Sequence, residues 1–239
     1  MPLTLATFNL KDFFPQPPHD FAPKVAWVAD MVARADADVV ARQEVGPPET
    51  LEALLARLER RGAYGAPVIG TPDARGIRCA LLSRLPVIAS RVHTAESLPF
   101  PVFQHGDAPP FGARIPLRRG VVVAQIDGGS LGVVDVIVAH FKSRRWVPLR
   151  DANGQEVPPT TAQARAEAEL RSLVWRAAEA LCGRRIGLGE SLEQPRLLLR
   201  RHADAVIGHG ELDPVASVDQ PSHLELYLAL LCELAGIAQ

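Results

Sequence analysis

Val39-Val40-Ala41-Arg42-Gln43-Glu44-Val45 is the stretch on which the reading of this chain turns. Its first three residues are small or β-branched and apolar, follow Asp36-Ala37-Asp38, and predict a short buried strand. The apolar run stops at Arg42, so Glu44 lies just past it, where a side chain can face a cleft instead of the core. A carboxylate placed there costs desolvation unless a cation or hydrogen-bond donors meet it. Glu44 is therefore a candidate hard ligand for magnesium, which prefers oxygen donors and keeps several waters. The plain alternative is a solvent-facing glutamate that opens a loop.

Towards the N-terminus, Val25, Val28, Ala29 and Val32 recur at helical spacing between about Lys24 and Ala35. Before them, residues 3–10 alternate as a strand that Pro15, Pro17 and Pro18 close. This strand, helix, strand unit places Asn9 and Glu44 at equivalent strand ends. Parallel strands ending at one edge bring such side chains together, as in binding sites at strand termini. Taken alone, Asn9 equally reads as an asparagine that closes its strand on local backbone.

Towards the C-terminus, Pro48 to Arg61 predicts a helix, with Leu51, Leu54, Leu55 and Leu58 on one face and Gly62 as its stop. Short strands follow at 78–83 and 86–90, broken at Arg84-Leu85-Pro86. Val121 to Ile126 and Leu131 to Ala139 then form a pair joined through Asp127-Gly128-Gly129-Ser130. His140 ends that pair, ahead of Lys142, Arg144 and Arg145. A histidine there can protonate a leaving oxygen or bond a phosphate; a strand-end histidine satisfied by backbone is the competing reading. Long proline-rich loops are expected at 98–116 and 145–161, and such loops are usually functional or mobile. A helix is expected from Ala162 to about Cys182, with Leu170, Leu173, Val174, Ala177, Ala178 and Leu181 on its core stripe. Beyond Gly183 only short apolar runs appear, with a possible strand at Ala203 to Ile207 and a leucine-rich helix at Leu224 to Ala235.

Composition bounds what these motifs can mean. A chain of 239 residues with 47% apolar content can bury a sizeable core, and its length suits one domain over 1–239. Its 26 basic and 27 acidic side chains nearly cancel, which excludes nucleic-acid binding by bulk charge. Phosphate binding must then be local. Arg114, Arg118, Arg119, Lys142, Arg144, Arg145 and Arg150 face only Asp127 and Asp135 in their stretch, whereas residues 202–239 contain no Lys or Arg. The 3 cysteines are widely spaced and read as reduced and structural. No membrane-spanning run or leader pattern is seen, so a cytoplasmic protein is expected. Oligomeric state is not readable.

Taken in order, Thr7-Phe8-Asn9-Leu10, Val39 to Val45, Ala80-Leu81-Leu82-Ser83-Arg84-Leu85-Pro86-Val87 and Val138-Ala139-His140-Phe141-Lys142-Ser143 resemble the motifs of the endonuclease/exonuclease/phosphatase superfamily, the deoxyribonuclease I-like phosphoesterases. Arg165-Ala166-Glu167-Ala168-Glu169-Leu170-Arg171 is similar to the helix that follows in that family, and the likeness spans residues 3–182. It implies an α+β fold, a four-layer α/β/β/α sandwich of two packed mixed sheets with outer helices. It also implies metal-dependent hydrolysis of a phosphate ester, with DNA or RNA among the possible substrates. Glu44 and Asn9 would hold Mg2+ or Mn2+. His140, and His223 in Ser222-His223, would be catalytic, and Arg119, Lys142 and Arg144 would bind phosphate.

The resemblance stops after Cys182. Where the family carries Gly-Asp-Phe/Leu-Asn-Asp, this chain reads Arg184-Arg185-Ile186-Gly187-Leu188-Gly189-Glu190-Ser191, and Asp219 stands four residues before His223 instead of beside it. The fold is thus expected to be incomplete at its C-terminal end, with residues 183–239 divergent. Two further readings follow from this departure: an inactive phosphate or nucleic-acid-binding module, and a truncated remnant.

Overall fold

The computed structural model describes residues 2–58, 64–94, 117–147, 149–150, 153, 155–190, 197–198, 215–218 and 224–225. The chain divides into two compact units, one formed by residues 1–93, 119–140 and 190–239, the other by 94–118 and 141–189.

The first unit is α+β, with two packed sheets. Strand β1 (Leu3–Phe13) runs parallel to β2 (Val39–Val45), and helix α1 (Pro18–Ala35) makes the crossover. After α2 (Pro48–Leu58) come β3 (Val68–Ile69) and β4 (Arg78–Ser83), and β4 pairs antiparallel with both β2 and β3. The chain then changes sheet at Arg84-Leu85-Pro86, a turn closed by Ser83 Oγ, which accepts from the Leu85 N–H at 3.1 Å and donates to the Leu85 carbonyl at 2.8 Å. Beyond it, β5 (Val87–His93), β6 (Val121–Asp127) and β7 (Val133–Val138) form a second, antiparallel sheet. Between β6 and β7 a short 3-10 turn includes Gly129 at φ +62°, a conformation that glycine adopts without strain.

Two cores follow from alternation along the strands. Leu3, Leu5, Val39, Ala41 and Leu81 of the first sheet meet Val122, Ala124, Ile126, Val134 and Val136 of the second. On the opposite face, Ala6, Phe8, Val40 and Leu82 pack under Val28, Val32, Leu51 and Leu54 of the two helices. Helix α1 begins earlier than its apolar spacing suggests because Pro18 occupies the first helical turn, where a missing N–H costs nothing.

The second unit contains the short hairpin β8 (Leu149–Arg150) and β9 (Glu156–Val157), which lies inside the expected loop 145–161, and helix α3 (Ala162–Glu190). The expected core stripe of α3 is buried only in part: Ala178 is buried and Val174 packs against it, but the leucines are not. Leu170, Leu173 and Leu181 are exposed, whereas Ala168, Ser172, Ala178, Glu179 and Cys182 are buried. Polar anchoring explains the choice. Glu179 accepts the Lys142 N–H, the Ser172 hydroxyl donates to the Ser143 carbonyl, and the Val147 N–H donates to the Ala168 carbonyl. Segment 141–147 therefore fixes which face of α3 turns inward.

Of the remaining residues of the first unit, β10 (Leu197–Leu198) pairs parallel with β12 (Leu224–Glu225), and β11 (Val215–Val218) pairs antiparallel with β1. Leu224 and Glu225 are thus extended where a helix was expected. The rest of the expected helix to Ala235, the strand at 203–207 and the loop 98–116 lie outside the described residues. Among the described residues, no helix is long and apolar enough to cross a membrane.

Candidate active site

The edge where β1 and β2 end is built by interruptions of the ladder. Asn9 pairs with Gln43 and Phe13 with Val45, so β1 carries extra residues opposite β2, and the β2/β4 register also shifts between Arg42 and Val45. Side chains change face there. Val39 and Ala41 point into the core between the sheets, yet Val45 and Phe13 lie in the helix-side core with Val40. Bulges redirect side chains in this way and concentrate beside functional sites.

Three non-glycine residues at this edge adopt left-handed backbone: Lys11 at φ 46°, Asp12 at φ 55° and Glu44 at φ 58°. Each such conformation costs about 1–3 kcal/mol and persists only where its surroundings enforce it. The enforcing contacts are visible. Asn9 Nδ2 donates to Glu44 Oε1 at 3.2 Å, and the Asp12 N–H donates to Glu44 Oε2 at 3.0 Å. The Lys11 N–H donates to Asn9 Oδ1 at 2.9 Å, and Lys24 Nζ, from α1, donates to the carbonyls of Lys11 and Asp12. The ammonium thus satisfies two carbonyls that the bulge removed from the ladder.

His140, directly after β7, brings Nε2 to 3.7 Å from Glu44 Oε1, and the two side chains are 9% and 21% exposed. Nearby, Gln43 Nε2 donates to Thr7 Oγ1 at 3.3 Å and ties the two strand ends together. Asn9, Glu44 and His140 therefore converge. Arg119 is buried: its Nε donates to Asp73 Oδ2 at 3.1 Å and its Nη1 to the His140 carbonyl at 3.1 Å. In the second unit, Lys142 is buried with Nζ donating to the carbonyls of Ser143 and Arg145, while Arg144 is exposed. His223 lies outside the described residues.

The donor set suits a hard divalent cation. Glu44 supplies a partly exposed carboxylate, and Asn9 Oδ1 accepts one N–H, which leaves a second lone pair on that oxygen. Magnesium is commonly held by one or two carboxylates with water and substrate phosphate completing the shell. Among the described residues, no group of three or more His, Cys, Asp or Glu side chains gathers to hold a metal ion.

A model described as the Endonuclease/Exonuclease/phosphatase family matches residues 6–186. The chain belongs to the endonuclease/exonuclease/phosphatase family. No curated protein matches this family member closely enough to report. Among solved structures, the chain is similar to an endonuclease/exonuclease/phosphatase from Beutenbergia cavernae, at 19% identity over 60% of this chain and 39% of that one, with a TM-score of 0.41. A protein of the same description from Bacteroides vulgatus aligns at 17% identity over 77% of this chain and 62% of that one, with a TM-score of 0.42. A humanized D. rerio TDP2 aligns at 16% identity over 60% and 52%, with a TM-score of 0.42. The family member described here thus covers less than two thirds of the length of each of these structures.

The contacts of Lys24 were not visible in the sequence, and they give a direct expectation. Lys24→Met keeps the aliphatic stem but removes both bonds to the bulge. Amide exchange at Asp12, measured by NMR, is expected to accelerate roughly fivefold, which corresponds to about 1 kcal/mol of lost protection. Unchanged exchange at Asp12 would show that the bulge holds itself without α1.

Proposed function

We propose that the chain is a magnesium- or manganese-dependent phosphoesterase that acts on phosphodiester bonds in the manner of a nuclease. The observation that carries this reading is the convergence of Asn9, Glu44 and His140 on one strand edge, with Glu44 held by the Asn9 amide and the Asp12 N–H. Glu44 and Asn9 would hold the ion, which when bound neutralises charge developing on the phosphate oxygens. His140 would donate a proton to the departing oxygen, a contribution of roughly 100- to 10,000-fold. The left-handed backbone at Lys11, Asp12 and Glu44 keeps the carboxylate in place before any substrate arrives. Orientation set in advance is a large part of what such a site contributes.

A second reading is favoured by one specific feature, the lack of a Gly-Asp-x-Asn sequence after α3. Without that aspartate and asparagine, water activation is the step most at risk, and the chain would bind a phosphate ester without turning it over. The first test is hydrolysis of bis(p-nitrophenyl) phosphate and of a short DNA duplex, with Mg2+, with Mn2+ and with chelator. Metal-dependent turnover is expected. Binding of the duplex that weakens with salt, with no turnover in either metal, would establish the binding module instead. Equal turnover with metal and with chelator would overturn the metal-dependent reading.

A further inference from the structure

We propose that Asp73 and Arg119 act as a positioning pair for His140, fixing through its backbone carbonyl the strand end that presents the imidazole to Glu44. This rests on the reading of Glu44 and His140 as the reacting site. The pair starts from a turn. Asp73 Oδ1 accepts the Arg75 N–H at 2.8 Å and the Ile77 N–H at 3.1 Å, and the Asp73 N–H donates to the Ile77 carbonyl at 2.9 Å. These bonds leave Oδ2 to Arg119, whose Nε lies at 3.1 Å, with the Arg75 Nε farther off at 3.7 Å.

Both partners are almost fully enclosed, with side-chain exposures of 4% for Arg119 and 3% for Asp73. Burial works to raise the Asp73 pKa, but the Ile77 and Arg75 N–H groups and the charges of Arg119 and Arg75 outweigh it, so the carboxyl sits below its ordinary value. An ionised, immobile carboxylate therefore anchors the guanidinium. The opposite end of Arg119 donates Nη1 to the His140 carbonyl. The arrangement needs close approach of the turn to β6, and Gly120 permits it: a Cβ there would meet Thr71 Oγ1 at 2.3 Å, and the Gly120 N–H donates to the Thr71 carbonyl at 3.1 Å.

This geometry gives Arg119 a different task from neutralising phosphate. Two of its nitrogens are engaged inside the protein, on an acid and on a carbonyl. Catalytic groups are commonly oriented by a third residue, and here the orientation passes through the main chain instead of through a ring nitrogen. A displacement of about 1 Å at such a group can cost on the order of 100-fold in rate.

The test uses the full chain with Asp73→Asn, Arg119→Lys and the double variant. Two readouts are taken: steady-state hydrolysis of bis(p-nitrophenyl) phosphate with Mn2+, and 13C relaxation of the His140 ring, with exposed His19 as control. Each single variant is expected to lower kcat roughly 10- to 100-fold with KM changed less than about twofold. The double variant is expected to be no worse than the poorer single one, because the two residues act as a unit. The His140 ring should gain motion while His19 does not change. A raised KM in Arg119→Lys with a silent Asp73→Asn would mean that Arg119 acts on phosphate and would overturn the proposal. An unchanged His140 ring in either folded variant would overturn it as well. Arg119→Lys keeps a buried cation, so it supplies the answer if Asp73→Asn fails to fold. If the parent shows no metal-dependent turnover, the functional reading fails, and the ring measurement still decides the positioning role.

Discussion

Glu44→Gln is expected to lower metal-dependent phosphodiester turnover by on the order of 1,000-fold, the scale seen when a charge-stabilising group is removed from an active site. The substitution is nearly isosteric. One amide oxygen can still accept from either Asn9 Nδ2 or the Asp12 N–H, but the new NH2 group then points at the other donor. The site thus loses its negative charge and gains a donor-donor conflict while the strands remain intact. Binding of Mn2+, followed by calorimetry, should fall with turnover, and a cooperative thermal melt should persist. Full activity in Glu44→Gln would remove the carboxylate from the mechanism. Lost activity with unaltered Mn2+ affinity would leave Glu44 a role in orientation only.

The second large effect concerns a residue two positions earlier. Arg42 is fully buried, and its three guanidinium nitrogens have no hydrogen-bond partner among the described residues. Burial, only partly offset by Tyr64, pulls its pKa down to about 9. An uncompensated buried charge costs about 3–5 kcal/mol, so Arg42→Leu is expected to stabilise the chain by an amount of that order, raising Tm by roughly 10 °C. The pH dependence has a definite sign. Because the folded pKa lies below the unfolded one, the penalty is fully present below about pH 9 and is relieved as the pH rises beyond it. The gap between Arg42→Leu and the parent should therefore be flat from pH 7 to 8 and narrow above pH 9. Urea unfolding across that range measures it. A destabilised Arg42→Leu would show that the guanidinium is compensated after all.

Arg42 also marks where sequence reasoning loses its grip. An arginine after Val39-Val40-Ala41 reads as the end of a buried strand, yet β2 continues to Val45 with Arg42 fully buried. Periodicity located β1, β2, α2, β4, β6 and β7 because each buries a face whose period matches its geometry. It also put Asn9 and Glu44 at neighbouring strand ends, and their side chains meet at 3.2 Å. It could not locate the bulge, since Lys11 and Glu44 are not residue types that announce a left-handed backbone, and a lone aspartate such as Asp12 is only a weak sign of one. Nor could it choose the inward face of α3, where the leucines advertise one side and bonds from segment 141–147 select another. Asp73 was missed, although Asp73-Ala74-Arg75-Gly76 has the composition of a tight turn. Its engagement with Arg119, 46 residues away, was not legible.

The exchange of faces at Val45 and Phe13 ties the length of the chain to its chemistry. Removing one residue from Lys11-Asp12 would spare every side chain named in the site and shift the strand by half its pleat. The Asp12 N–H that Glu44 Oε2 accepts, and the two carbonyls that Lys24 holds, would be displaced with it. For homologues of this protein, a gap of one position upstream of Phe13 is therefore expected to loosen the hold on the carboxylate, although every motif would still align. Here spacing carries information that residue identity does not.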